Sequence, residues 1–179
     1  MLFVYRIFIN LILIFSPLII LVRLLKKKED FLRFREKIGF FKKNRSKGKL
    51  IWFHGASVGE FQSIVPLLEK LAKSKKISQI LITSNTLSSS KLISKIKLNK
   101  ISHQFFPIDN DLIIKKFINH WKPSVAFFVD SEIWPNTLIN LNKEKIPTIL
   151  INARITRKSY NKWIKLKNFS KLIFNKFDL

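Results

Sequence analysis

From residue 49 onward the sequence predicts an α/β fold with a doubly wound parallel sheet, and three observations predict it. Short, almost wholly apolar runs recur at 50–53, 79–83, 103–108, 124–129 and 147–151, as strands covered on both faces should read. Helical periods separate them, at roughly 63–74, 87–97, 110–120 and 135–144. Pro107, Pro123 and Pro147 mark strand boundaries, where a residue without an N–H is tolerated. Strand and helix in alternation build right-handed crossovers and so one parallel sheet. The strand order expected for this class is 3-2-1-4-5, which sets the carboxyl ends of the first and fourth strands on either side of one crevice. At 179 residues the chain holds one domain of moderate size and a tail,.

The segments before the sheet have another character. Ile7 to Val22 is apolar except for Asn10 and Ser16, with Pro17 inside it. A spanning helix takes about 20 apolar residues, so residues 1–25 read as a membrane anchor, short and interrupted. No small-residue cleavage site follows, but Lys26, Lys27 and Lys28 do, which argues against a removed leader. Between Arg23 and Lys49, twelve basic residues stand against three acidic ones. By the positive-inside rule the rest of the chain is therefore expected on the cytoplasmic side. Within this basic segment, residues 26–48, Phe31, Phe34, Ile38 and Phe41 recur at helical spacing, with Arg33 and Lys37 directed elsewhere. That pattern predicts an interfacial helix on anionic headgroups. Its alternative is a core helix with a solvated basic face.

The whole chain carries a formal net charge of +23, from 34 basic and 11 acidic residues. Such an excess calls for an anionic partner: nucleic acid, acidic lipid or a phosphorylated substrate. Nucleic acid fits worst. The aromatics fall in the apolar runs, and no helix-turn-helix or RNA-binding signature occurs,. Of the basic residues 27 are Lys, in a chain also rich in Ile and Asn; an AT-rich coding sequence produces that bias as readily as selection for charge. With no cysteine there is neither a disulfide framework nor a thiolate metal site,.

The stretch IWFHGASVGE, 51–60, is the turn on which the expected site is built. Ile51, Trp52 and Phe53 end a buried strand, Gly55 and Gly59 are two of only four glycines, and Glu60 brings a carboxylate. The fourth strand runs into Asp130, Ser131 and Glu132, then Trp134, Pro135 and Asn136. The predicted strand order brings both turns to one crevice, so Glu60 and Glu132 are candidates for acid–base work there. Glu60 has a structural reading beside the functional one. Ser57-x-x-Glu60 is a formal capping box, but a helix begun there carries Pro66 inside it, at a cost of about 3 kcal/mol. With Ser63 as the cap, Pro66 falls in the first turn and Glu60 is a loop carboxylate facing the crevice. His54, at a strand end, reads as a hydrogen-bonded structural residue. His103 and His120 lack any metal-ligand spacing, and no metal or cofactor is expected. Trp134 and Pro135 are expected to shape the turn and cap the next helix, while Asn136 suits either the turn or a ligand.

WFHGASVGE (52–60), ITSNT (82–86), FPID (106–109), DSEIWPN (130–136) and INAR (151–154), followed by Ser159 and Tyr160, together resemble one family. It is the 3-deoxy-D-manno-octulosonic acid (Kdo) transferases of lipopolysaccharide synthesis. The N-terminal anchor and the basic stretch from Phe34 to Gly39 match as well. The resemblance implies the Rossmann-like acceptor half of a GT-B glycosyltransferase, which moves Kdo from CMP-Kdo onto a lipid A precursor with inversion and without metal. It implies Glu60 as general base for the acceptor hydroxyl and Glu132 in support of the transition state. Ser57, Gly59, Asn136 and Arg154 are the acceptor-binding candidates.

The domain plan that follows is an anchor at 1–25, a basic interfacial segment at 26–48 and the acceptor domain at 49–153. Residues 154–179, with eight basic residues and one acid, read as the start of an interdomain region. The serines at 88–90 stand where the family has a glycine after its threonine-rich turn. The donor CMP-Kdo is expected to need a second, C-terminal domain that has no counterpart in these residues. The expected partners are lipid A precursor, an anionic membrane surface and a separate C-terminal half. The alternative function is a membrane-tethered, non-catalytic acceptor-binding fragment or split-enzyme subunit.

Overall fold

The computed structural model describes residues 1–96 and 98–179. Five parallel strands form one sheet: β1 Leu50–His54, β2 Gln79–Ser84, β3 Ile101–Phe105, β4 Val125–Val129 and β5 Thr148–Ile151. Their spatial order is β3-β2-β1-β4-β5, the order the sequence predicts. β1 is central, with Phe53 level with Ile82 of β2 on one side and Phe127 of β4 on the other.

Side chains alternate across a strand, and β1 feeds two cores in this way. Leu50 and Trp52 pack with Phe117 and Trp121 of α4 (Asp111–Trp121) and with Leu138 and Leu141 of α5 (Pro135–Lys143). Ile51 and Phe53 pack on the other face with Phe61, Ile64 and Leu68 of α2 (Val58–Lys73) and Ile93 of α3 (Leu87–Lys95). Two helical layers thus cover a sheet apolar on both faces, which is why its strands read as continuous apolar runs. The last residue of the helix expected at 87–97 lies outside the described residues.

Helix α2 departs from expectation. It begins at Val58 and carries Pro66 inside. Its cap is Ser57, not Ser63, whose hydroxyl instead donates to the Glu60 carbonyl at 2.7 Å. The reason is Phe61. It is fully buried, and with Ile64 and Leu68 it forms the inward stripe of α2. Each such side chain contributes about 1.5–3 kcal/mol by burial, which together offset the proline. A helix begun at Ser63 would leave Phe61 outside that stripe.

Strand β3 also departs, covering 101–105 instead of 103–108. Its polar Ser102, His103 and Gln104 find partners inside. Gln104 Oε1 accepts from Trp121 Nε1 at 3.0 Å, and His103 lies between Arg33 Nη2 (3.0 Å from Nδ1) and Ser84 Oγ (2.8 Å from Nε2). Burial, with the Arg33 and Lys43 charges, pushes the His103 pKa down to about 3. The ring is neutral, accepting at Nδ1 and donating from Nε2.

The interfacial helix expected over 31–41 is only a five-residue 3₁₀ turn, Phe34–Ile38. Glu36 explains this. It turns inward to accept the Phe105 N–H at 2.7 Å, while Arg33 pairs with Glu36 at 2.8 Å and donates to the His103 carbonyl at 3.0 Å. The segment therefore covers the edge strand β3, whose free N–H groups need a partner.

Before the sheet, α1 (Leu2–Leu25) is one helix with Pro17 inside it, long and apolar enough to cross a membrane at a mean hydropathy of 2.5. After the sheet come α6 (Arg157–Lys165) and α7 (Lys167–Phe174). This region packs back on the domain. Ile173 is fully buried, and the final residues bond along β5, Leu150 N donating to the Leu179 carbonyl and Asp178 N to the Thr148 carbonyl, both at 2.8 Å.

Candidate functional site

The carboxyl ends of β1, β4 and β5 open onto a cavity of about 280 Å³ lined by Ser57, Gly59, Glu60, Ser63, Val129, Asp130, Asn152 and Arg154. Beside it, sharing Asp130 and Arg154, lies a second cavity of about 310 Å³ that reaches Ser159 and Trp163 of α6. Together they form a cleft at the rim of the sheet, where ligands of doubly wound folds bind.

Glu60 enters this cleft from the first turn of α2. The capping box is complete: Ser57 Oγ accepts the Glu60 N–H at 3.2 Å, and Glu60 Oε1 accepts the Ser57 N–H at 3.2 Å. Glu60 Oε2 also accepts the Ala56 N–H, at 2.7 Å. Two of the roughly four lone-pair positions of the carboxylate are thus engaged, and the others are left for a ligand. Gly55 makes this placement possible. A Cβ there would stand 3.2 Å from Glu60 Oε2 and 3.1 Å from Phe61 Cζ. Gly59 has the opposite surroundings: a Cβ would meet nothing within 4 Å, so the absent side chain leaves the cavity wall open.

Glu132 reaches the same turn from the β4 side but does not line that cavity. Its Oε2 accepts from Trp134 Nε1 at 2.9 Å, His54 Nε2 at 3.1 Å and Asn85 Nδ2 at 3.5 Å. Burial by itself would raise its pKa; His54, as hydrogen-bond donor and as charge, and Trp134 outweigh that and hold it below the ordinary glutamate value. His54 is fully buried, stacked on Phe106 at 3.9 Å between ring centroids and tied to Thr83 Oγ1 at 2.9 Å. It positions Glu132 from a place shut off from solvent. Trp134 stands at the N-cap position of α5 but makes no side-chain cap bond, its indole N–H going to Glu132 instead.

The single crevice expected for both glutamates is not what the cavity shows: Glu60, on the Ala56 and Ser57 amides, lines it, whereas Glu132 is drawn to His54, Trp134 and Asn85. Ser57, Gly59 and Arg154 join Glu60 at the cavity. Asn136 does not. It is 1 % exposed, its Oδ1 accepts from Arg6 Nε at 3.0 Å and its Nδ2 donates to the Asp109 carbonyl at 2.6 Å. It holds the start of α5 to the β3–α4 turn and has no surface left for an acceptor.

Sequence reasoning missed Asp130 and Asn152 as cavity residues. Both follow directly on strand ends and take left-handed backbone, at φ +64° and +51°, a conformation that Asp and Asn tolerate better than most residues. Asn152 Nδ2 reaches across to Ser63 Oγ at 2.9 Å. The available signal was a turn-forming polar residue at the carboxyl end of two adjacent strands, β4 and β5. Among the described residues, no group of three or more His, Asp or Glu side chains is placed to hold a metal ion.

Comparison with known proteins adds the following. The family model described as 3-deoxy-D-manno-octulosonic-acid transferase (kdotransferase) matches residues 32–179. A 3-deoxy-D-manno-octulosonic acid transferase of Rickettsia bellii is 42% identical over 160 residues, covering 89% of this chain and 38% of the relative. A probable mitochondrial 3-deoxy-D-manno-octulosonic acid transferase of Arabidopsis thaliana is 36% identical, covering 99% of this chain and 41% of the relative. The chain thus spans about two fifths of the length of these relatives. Among solved structures, a UDP-N-acetylglucosamine 2-epimerase superposes with a TM-score of 0.52 at 12% identity, over 74% of this chain and 41% of that one. That likeness concerns the fold alone.

Proposed function

The chain belongs to the 3-deoxy-D-manno-octulosonic-acid transferase family, and from that premise we propose that it forms the acceptor half of an inverting glycosyltransferase. The reaction is transfer of Kdo from CMP-Kdo to a hydroxyl of a lipid A precursor. The observation that carries this reading is Glu60, a carboxylate fixed by two backbone N–H groups at an open cavity. A sugar hydroxyl is a poor nucleophile, and a carboxylate within hydrogen-bond reach takes its proton as attack proceeds. Fixing that carboxylate beforehand spares its reorientation at the moment of reaction.

Glu132 supports the developing positive charge of the sugar as a fixed anion, held ionised by His54 and Trp134,. Arg154, exposed at the cleft, pairs with an acceptor phosphate. CMP-Kdo is held by the part of the enzyme that corresponds to the rest of the relatives' length. The charge of the departing CMP is met by helix N-termini and basic side chains. The apolar α1 and the basic residues after it attach the domain to the cytoplasmic face of the inner membrane, where the glycolipid acceptor lies.

The test joins residues 1–179 to the remaining C-terminal portion of the R. bellii relative and measures transfer of labelled Kdo to lipid A precursor. Glu60→Gln is expected to lower the rate about 10²–10⁴-fold with acceptor binding retained. Unchanged transfer overturns the general-base assignment. A wild-type chimera that binds acceptor but transfers nothing favours the non-catalytic alternative.

A further inference from the structure

We propose that α1 does not cross the bilayer but lies in the plane of the membrane surface, docked lengthwise on the α/β domain with its outer face in lipid. This rests on the membrane reading given above and decides its geometry. The first support is the pattern of exposure. Tyr5, Ile9, Leu13, Ser16, Ile20 and Arg23, spaced by three and four residues, are each half-buried or buried, with Leu2, Arg6 and Leu24 beside them. That is one stripe running the length of the helix.

The second support is that both ends are tied to the same domain. Near the amino end, Tyr5 Oη donates to Asp109 Oδ2 at 2.7 Å and Arg6 Nη2 meets Asp111 Oδ1 at 3.0 Å. Asn110 Nδ2 donates to Asn10 Oδ1 at 2.8 Å. At the carboxyl end, Arg23 Nε meets Glu29 Oε2 at 2.8 Å, and the other oxygen of Glu29 meets Lys37 Nζ at 2.6 Å. Lys37 in turn donates to the Asn85 carbonyl, just past β2, at 3.2 Å. A helix of 24 residues is about 36 Å long,. A spanning helix sets its two ends on opposite sides of about 30 Å of hydrocarbon. One domain on one side of the membrane cannot hold both.

The occupant of the outer face is an anionic phospholipid surface. Phe3, Phe8, Ile14 and Leu25 are each more than half exposed, and Phe31 and Leu32 beyond them are 74% and 79% exposed. Lys26, Lys27 and Lys28 follow directly. Apolar side chains over a helix length bordered by lysines match the acyl and headgroup layers of such a surface. In this position α1 also walls a mostly apolar cavity of about 340 Å³ between Ile9 and Ile12 and the far side at Phe106 and Trp134.

The chain contains no cysteine, so single cysteines report position without background. The full chain is synthesised with inverted bacterial inner-membrane vesicles, pelleted, and treated with a membrane-impermeant maleimide. Three forms are compared: a Cys-Gly-Ser-Gly extension at the amino terminus, Lys28→Cys and Ile14→Cys. Docking in the plane predicts that the extension and Lys28→Cys label at comparable rates in intact vesicles, with Ile14→Cys at least about tenfold slower. Labelling of the extension only after detergent opens the vesicles, with Lys28→Cys labelled before, shows a spanning helix; that overturns the inference and leaves the membrane reading standing. Ile14→Cys labelling as fast as Lys28→Cys in pelleted vesicles overturns the placement of the outer face in lipid. A chain that stays in the supernatant fails the membrane reading, and the inference with it.

Discussion

Asp109→Ala should be among the most destabilising single substitutions in this chain. Asp109 is 1 % exposed and accepts from Tyr5 Oη at 2.7 Å, Asn136 N at 2.9 Å, Thr137 N at 2.8 Å and Thr137 Oγ1 at 2.5 Å. Trp134 offers α5 no side-chain cap, so Asp109 caps that helix from another segment, opposite its dipole. Alanine leaves two backbone N–H groups, at 1 % and 0 % exposed residues, without a partner. Each orphaned group costs about 1–3 kcal/mol, so the loss at pH 7 is on the order of 3 kcal/mol once the relieved desolvation of the carboxylate is set against it.

The pH dependence has a definite sign. Burial pushes the Asp109 pKa up to about 6, against the hydrogen bonds that pull it down. A raised folded pKa means stability present below the unfolded value and lost as pH rises through about 6. The gap between wild type and Asp109→Ala therefore widens on acidification from pH 7 to pH 4, by at most about 1.4 kcal/mol per pH unit. Urea unfolding in mild detergent, followed by tryptophan fluorescence, measures it. A gap under about 1 kcal/mol at pH 7 refutes the long-range cap, and one that narrows on acidification refutes the dominance of burial over those hydrogen bonds in setting the Asp109 pKa,.

Three further outcomes are expected. Gly59→Ala should raise stability by up to about 1 kcal/mol, because the methyl enters open space in the first turn of a helix,; the same methyl should weaken binding of lipid A precursor, read by vesicle co-sedimentation. Ser57→Ala should cost about 1 kcal/mol in thermal or urea unfolding by removing the Ser57 Oγ end of the capping box,. His103 has its folded pKa lowered to about 3, so the unfolded chain takes the proton first as pH falls below about 6.5. Wild type should therefore lose stability relative to His103→Gln by up to about 1.4 kcal/mol per pH unit between pH 6 and pH 4.

Much of the fold was legible because β1, β2 and β4 are short runs of Ile, Leu, Val and Phe buried on both faces, and such runs announce a parallel sheet. β3 was less so. Ser102, His103 and Gln104 are polar in a strand, and only the fold shows their partners: Gln79 for Ser102, Arg33 and Ser84 for His103, and Trp121 for the Gln104 Oε1. Aromatic spacing between Phe31 and Phe41 gave a helix where Glu36 instead reaches the edge of β3, a long-range demand that local periodicity does not carry. At the site the motif marks Glu60, but Pro66 argues for a start at Ser63, and only the burial of Phe61 fixes where α2 begins. Sequence leaves Asn136 open between turn and ligand because the partners that decide for the turn, Arg6 and Asp109, lie 130 and 27 residues away. The tether of α1 was invisible for the same reason: Tyr5 and Asp109 are 104 residues apart.

The most direct measurement of the central claim is a structure of the membrane-bound chain with lipid A precursor. Acceptor in the cleft, its reacting hydroxyl oxygen about 2.6–3.2 Å from a Glu60 carboxylate oxygen while Ala56 and Ser57 still donate to that carboxylate, is the predicted result. Acceptor seated away from β1, β4 and β5, with Glu60 engaged only by those two amides, contradicts it.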